Sequence, residues 1–293
     1  MSGIIFLESF KDAFSDLVPI VPLLFLTFLV IEFVEYYQFD KVSSYVRRSG
    51  KYAPLIGALV ASFPQCGFSI IASVLYIRGL ITRGTLLAVY LSTSDEAIPV
   101  LLSMPDKSSL VIPVILIKIL IGIIAGYAFD FIFPKEIKED KTLKIVPEVG
   151  CCEHNIGKKI KKELILHPVV HTFTISIFIF VLTLIINILI ALFGSAENLG
   201  VHLMSGSIVQ PFMAALFGLI PNCAVSVALI MLFIKGSITF SSLIAGLCSN
   251  SGLGIWIILT RNKDKKDSLI LISALFLISA LAGVIIYLTK FAL

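Results

Sequence analysis

The chain has 293 residues, of which 58% are hydrophobic and 14% charged, and its mean hydropathy is +1.02. A soluble domain averages about 45–50% apolar and about 25% charged residues, so an ordinary globular core is excluded and an all-α polytopic membrane protein is predicted. The net charge of +4 gives no nucleic-acid-binding surface, and neither GxGxxG nor GxxxxGKS/T occurs, which leaves no dinucleotide or P-loop domain.

In chain order, the N-terminal stretch sets Glu8, Asp12 and Asp16 against Lys11 and lacks the short apolar core and cleavage site of a secretory leader. Apolar blocks follow at about 17–37, 53–78, 81–104, 109–133, 171–193, 208–234, 238–259 and 268–289. A helix needs about 20 apolar residues to span a bilayer, so each block is a candidate membrane segment. A lysine-rich polar stretch, 134–166, divides them into fours. The expected organisation is a membrane repeat over 1–133, a linker over 134–166 and a second membrane repeat over 167–293. Cys66, Cys223 and Cys248 lie in apolar segments and Cys151 adjoins Cys152, so no disulfide framework is expected.

The halves align without a gap at an offset of 157 positions. Pro64, Cys66, Ser69 and Gly79 fall on Pro221, Cys223, Ser226 and Gly236; Thr82, Ala88, Ser92 and Ser94 fall on Thr239, Ala245, Ser249 and Ser251; Gly126 falls on Gly283. Hydrophobic bias alone would match Leu and Ile, not Pro, Cys, Gly, Thr and Ser. Internal repeats of this kind build many secondary transporters.

Basic residues set the expected topology, because cytoplasmic loops are enriched in Lys and Arg. Lys41, Arg47, Arg48 and Lys51, the linker lysines, and Arg261, Lys263, Lys265 and Lys266 form three clusters, whereas loop 194–206 has neither Lys nor Arg. All three clusters become cytoplasmic if each half makes three crossings plus one re-entrant or broken-helix hairpin. That odd number inverts the second repeat, with extracytoplasmic termini and a cytoplasmic linker. The hairpin is either 53–78 or 81–104; counting Arg78 and Arg83 as cytoplasmic favours 53–78.

Two motifs recur in both halves. The first is Pro64-Gln65-Cys66-Gly67-Phe68-Ser69 with Pro221-Asn222-Cys223-Ala224-Val225-Ser226; the second is Ser92-Thr93-Ser94 with Ser249-Asn250-Ser251. Proline breaks a helix by removing an N–H donor, and broken segments at matching positions of two halves point to a transporter's binding site. The predicted substrate-binding residues are therefore Gln65, Cys66, Ser69, Ser92, Thr93, Ser94, Asn222, Cys223, Ser226, Ser249, Asn250 and Ser251. Asp95, Glu96 and Lys118 are intramembrane charges whose counterparts, Gly252, Leu253 and Leu275, are uncharged. Such charges are costly and mark functional sites, so these three are assigned to charge balance or coupling. The expected arrangement is that Lys118 neutralises one carboxylate. Glu32 and Glu35 read as interfacial carboxylates, and Asn187 as an interhelical hydrogen-bonding residue. Cys151, Cys152, Glu153 and His154 in the linker supply ligand types for zinc, copper(I) or a thiophilic metalloid, without CxxC spacing.

The duplicated Pro-Gln-Cys-Gly-Phe-Ser and Pro-Asn-Cys-Ala-Val-Ser motifs, the serine-rich second motif with Asp95-Glu96, and the Cys/His-bearing linker resemble the ten-helix heavy-metal exporter family. Its members are labelled arsenic efflux proteins or manganese transporters. The resemblance covers nearly the whole chain and implies ten segments, if each hairpin counts as two half-helices. It implies a secondary-active permease in the cell membrane that exports a metal or metalloid ion by alternating access, in exchange for protons. In that reading Cys66, Cys223, Asp95 and Glu96 are the metal ligands, the ion is cargo and not a resident cofactor, and the partners are the bilayer and the inorganic substrate, with homo-oligomerisation left open. The alternatives are a permease for a small anion or organosulfur compound and an intramembrane enzyme. The enzyme is disfavoured because His167, His171 and His202 fall at segment ends, leaving no base beside a nucleophile.

Overall fold

The computed structural model describes residues 50–64, 67–94, 97–133, 206–222 and 224–289, with most of 169–188 and scattered positions over 10–29. Among these residues the regular elements are all helical. The first half supplies α1 (Ala53–Ala61), α2 (Gly67–Ile77), α3 (Arg83–Ser92), α4 (Ala97–Leu102) and α5 (Val111–Ile132). The second supplies α6 (Val209–Gly218), α7 (Ala224–Ile234), α8 (Phe240–Ser249), α9 (Leu253–Arg261) and α10 (Lys265–Leu288). Moved by 157 positions, Gly67–Ile77 becomes Ala224–Ile234 and Arg83–Ser92 becomes Phe240–Ser249, the bounds of α7 and α8. The duplication read from the sequence is thus also a duplication of helix boundaries.

Local chemistry explains why the boundaries repeat. α2 and α7 both end in a left-handed glycine, Gly79 at φ 73° and Gly236 at φ 75°. The Gly79 N–H donates to Tyr76 O at 2.8 Å and the Leu80 N–H to Leu75 O at 2.9 Å; Gly236 and Ser237 repeat this onto Phe233 and Leu232, both at 2.9 Å. This paired closure satisfies carbonyls that a helix end leaves open, and glycine alone adopts it without strain. Three residues on, Thr82 and Thr239 cap the next helix, their hydroxyls accepting from the Thr85 and Ser242 N–H groups.

α5 and α10, of 22 and 24 residues, form the outer wall. Ile112, Leu116, Leu120, Ile124 and Phe131 of α5, and Leu269, Leu277, Leu281, Ile285 and Leu288 of α10, are exposed. An apolar stripe turned outward at helical spacing is the surface a bilayer solvates. The inward stripe of α5 contains Lys118, Gly122, Ala125 and Gly126, all buried. Small residues there let backbones approach closely. A Cβ at Gly126 would fall 2.8 Å from Gly84 O and 3.1 Å from Pro54 Cβ; one at Gly283 would fall 2.9 Å from both Ser241 O and Pro211 Cβ. The same crossing of α1, α3 and α5 is therefore rebuilt by α6, α8 and α10.

The halves also interlock. α2 packs on α9, and α7 on α4, so each repeat's second helix rests on the other repeat's fourth.

Candidate transport site

The second motif interrupts α3–α4 and α8–α9 where α3 and α8 have run only 10 residues each, about 15 Å at 1.5 Å per residue and roughly half the hydrocarbon thickness. Ser92, Thr93 and Ser94 in one repeat and Ser249, Asn250 and Ser251 in the other are all buried, none more than 2% exposed. The Ser92 hydroxyl donates to Lys118 O at 3.3 Å, and the Thr93 hydroxyl to Val89 O at 2.7 Å. The Ser249 hydroxyl donates to Ala215 O, and Asn250 Oδ1 accepts from the Gly252 N–H at 3.0 Å, with Gly252 itself left-handed at φ 55°. The Asn250 amide nitrogen and the Ser251 hydroxyl are buried with no hydrogen-bond partner. A polar group buried without a partner costs about 1–3 kcal/mol.

Lys118 joins the first repeat's motif to the last turn of α8. It is 2% exposed, and its ammonium donates to Thr93 O at the end of α3 and, at 2.8 Å, to Leu247 O in the last turn of α8. One cation from the first repeat therefore holds a carbonyl from each repeat.

The first motif reaches the second across the repeat boundary. Ser69 is fully buried, and its backbone and Cβ lie 3.0 Å from where a Gly254 Cβ would stand. Ser73, one turn further on, shares a 2.6 Å hydrogen bond with Tyr90 and donates to Gly254 O at 3.1 Å. Ser226 is buried on α7. Asn222 is exposed, and its Oδ1 accepts from the Ala224 N–H at 2.9 Å, capping α7. The structure brings Ser69, the two serine-rich motifs and Lys118 into one region. Gln65, Cys66, Asp95, Glu96, Cys223 and the linker residues Cys151, Cys152, Glu153 and His154 lie outside the described residues, as do Glu32 and Glu35; Asn187 is half-buried. Among the described residues no three His, Cys, Asp or Glu side chains gather as a metal site.

One charged cluster escaped the sequence reading. Asp267, buried at the start of α10, accepts from Arg83 Nε at 2.7 Å and lies 2.6 Å from Arg83 Nη2. It also accepts from the Tyr76 hydroxyl and, at 3.3 Å, from Asn262 Nδ2. Arg83 and Asp267 are 184 positions apart, and Asp267 sits at the edge of an apolar block beside two lysines, where it reads as an ordinary helix-start acid. Ser73 and Tyr90 were missed for a similar reason: each is one hydroxyl in an apolar run. Gln210, whose Oε1 accepts from the Thr239 N–H and hydroxyl and from Ser242, clamps the start of α8. In the first repeat Asp130 does this, accepting from Thr82 and the Gly84 N–H.

Over residues 2–175 and 161–291 the chain matches the family described as "Putative, 10TM heavy-metal exporter". The chain belongs to this exporter family. No curated protein and no solved structure matches it. The ten-segment description agrees with a multi-pass architecture: Arg83–Leu102, Lys107–Ile132, Phe240–Arg261 and Lys265–Leu288 are each long and apolar enough to cross a membrane. α2, α6 and α7 are apolar but of only 10 or 11 residues.

Proposed function

We propose that the chain is a secondary-active permease that exports a heavy-metal or metalloid ion by alternating access at a midplane site shared by two inverted repeats. The observation that carries this reading is the buried ammonium of Lys118, which holds Thr93 O in the first repeat's unwound motif and Leu247 O in the last turn before the second repeat's motif. Irregular backbone at membrane depth is tolerated only where it is buried in protein or lines a cavity, and broken helices at matching positions of two halves are how secondary transporters build a binding site.

The inversion is supported by using α10 as a ruler. Asp267, at its start, touches the beginning of α3 through Arg83, whereas Gly283, sixteen residues or about 24 Å further along, lies against Ser241 at the beginning of α8. Two helices that start at opposite ends of the same span run in opposite directions. Hairpins over 53–78 and 208–234 are supported similarly. Pro54 lies beside Gly126 near the Gly84 end of α3, Ser73 beside Tyr90 near its other end, and Tyr76 beside Asp267, the partner of Arg83. The chain thus goes in on α1 and returns on α2. Arg83, Arg261, Lys263, Lys265 and Lys266 then share one face, which the positive-inside rule makes cytoplasmic. The linker, 134–166, leaves α5 on that face, and the repeats are divided at 1–133 and 167–293.

In this reading Cys66 and Cys223 are soft ligands, while Gln65, Asn222 and the serine hydroxyls supply oxygen. Asp95 or Glu96 adds charge or carries the coupling proton. Thiolates favour copper(I), zinc or arsenic(III), and oxygen ligands favour manganese(II). The small-anion alternative draws support from one feature: Lys118 and the unpartnered Asn250 amide nitrogen are donors. Donors suit an oxyanion or a hydroxylated metalloid better than a bare divalent cation.

The test is transport into everted membrane vesicles of arsenite, antimonite, manganese(II), zinc(II) and copper(I), alongside phosphate and sulfite. Metal or metalloid uptake that a protonophore abolishes, and that Cys66→Ala/Cys223→Ala lowers, is the expected result. Uptake of phosphate or sulfite alone would move the assignment to the small-anion permease. Metal uptake unchanged in the double alanine variant would remove the cysteines from the site.

A further inference from the structure

α3 and α8 approach each other with the same end. Thr93 is the residue that closes α3, and Leu247 lies in the last turn of α8; both carbonyls point to one ammonium. The last four carbonyls of a helix have no intrahelical donor, and the helix carries partial negative charge at that end. Two such ends brought together in a medium without water repel each other and attract a cation. In membrane transporters, unwound carbonyls and half-helix C-termini coordinate alkali ions in this way. Here the position is filled by a side chain. The repeat counterpart of Lys118 is Leu275, fully buried and uncharged, so one ammonium serves both ends.

We propose that Thr93 O and Leu247 O belong to a monovalent-cation site formed by the facing C-terminal ends of α3 and α8, and that the Lys118 ammonium permanently occupies the place of an exchangeable alkali ion. This goes beyond the export reading and does not depend on the cargo. It has two consequences. The native protein has no use for sodium or potassium at this site. Removing the amine while leaving the space opens the site to a small cation from solution, ammonium or methylammonium best, since these reproduce the donor geometry of the lysine head. Removing the amine while filling the space, as methionine does, leaves no room for one.

The experiment is thermal unfolding of the full-length purified protein in detergent, titrated with methylammonium, sodium or potassium chloride against choline chloride at constant ionic strength. Wild type should respond alike to all four salts. Lys118→Ala should unfold about 5 °C or more below wild type, and a ligand that binds only the folded state should recover about half of that loss with saturation. Methylammonium should act as that ligand, while Lys118→Met should be destabilised and stay so in every salt. If Lys118→Ala does not accumulate, Lys118→Gln takes its place, because its amide can hold one carbonyl and leave the other for an added cation; a smaller saturable shift is expected. Three results would overturn the proposal: a saturable sodium or potassium shift in wild type, no cation-specific shift in the alanine or glutamine variant, or equal rescue of alanine and methionine. Arsenite or manganese binding is measured separately, so loss of the export reading would leave this result standing.

Discussion

The half built from α1 to α5 and the half built from α6 to α10 share a scaffold and differ in where they put charge. The scaffold residues are those whose job is steric. Gly79 and Gly236 make the same left-handed turn, Thr82 and Thr239 the same cap, and Gly126 and Gly283 the same close crossing. The charged residues have no such symmetry. Lys118 faces Leu275 in the alignment, and Tyr76 and Arg83 face Phe233 and Phe240, whose rings lie 6.1 Å apart. Asp267 itself corresponds to Leu110. Duplication therefore preserves what the backbone needs to pack, while the electrostatics has diverged between the halves. On the inverted reading, a polar cluster closes one membrane face and an aromatic pair lies at the other.

The largest expected effect comes from giving the first repeat the second repeat's residue at the centre. Lys118→Leu strands Thr93 O and Leu247 O, each costing about 1–3 kcal/mol when buried without a donor. Transport should fall tenfold or more, read as initial uptake rate per unit of protein in membrane vesicles. Wild-type rates in this variant would mean that the two carbonyls find other donors and that the central asymmetry carries no function.

Next is the cluster at Asp267. Arg83→Phe leaves a carboxylate that is 5% exposed without its cation, and breaking a buried ion pair from one side costs about 3–5 kcal/mol. Because Arg83 keeps 24% of its side chain exposed, water softens this, and about 2 kcal/mol is expected. Adding Tyr76→Phe and Asp267→Leu, which copies the symmetry-related set Phe233, Phe240 and Leu110, should restore most of the melting temperature. The cycle is non-additive if the three residues act as one unit. Additive losses would show that they are independent.

Third, the scaffold is not fully interchangeable. Gly84 occupies the position of Ser241, yet a Cβ on Gly84 would fall 2.0 Å from Gly126 O and 2.5 Å from the Asp130 carboxyl carbon. Gly84→Ser should destabilise by about 1–3 kcal/mol, the usual cost of overpacking, and Ser241→Gly by less than about 1 kcal/mol. Comparable losses in denaturation of the two variants would contradict the tighter crossing in the first half.

The smallest effect belongs to the caps. Thr239→Ala and Thr82→Ala should each cost about 1 kcal/mol, as loss of an N-cap does. Thr82→Ala should cost somewhat more, because its hydroxyl donates to the Asp130 carboxylate at 2.6 Å, whereas that of Thr239 donates to the neutral Gln210 amide oxygen at 3.0 Å. The ordering is checked by hydrogen exchange at the first turns of α3 and α8. Reversal of the order would make Gln210, which binds Thr239 and Ser242 together, the stronger clamp.

The sequence by itself determined the membrane class, the duplication and its offset, the recurring serine-rich motif, the lysine within an apolar block, and the resemblance to the exporter family. These are local properties: hydropathy is summed over a window, a repeat is a match of residue identities, and a charge in an apolar run stands out on its own. Only the tertiary structure decided who meets whom. Arg83 and Asp267 each look like an ordinary residue at a helix start, and their pairing depends on which ends of α3 and α10 share a membrane face. Ser73 and Tyr90 became notable only when Gly254 of the other repeat closed against them. Lys118 is the clearest case: the sequence marks it as an intramembrane charge, and the fold adds that its ammonium holds the backbone carbonyls of Thr93 and Leu247. Every residue in every sequence has a carbonyl. Side-chain identity therefore carries no mark of which carbonyls a fold will leave open, or of which two helix ends it will bring to one cation.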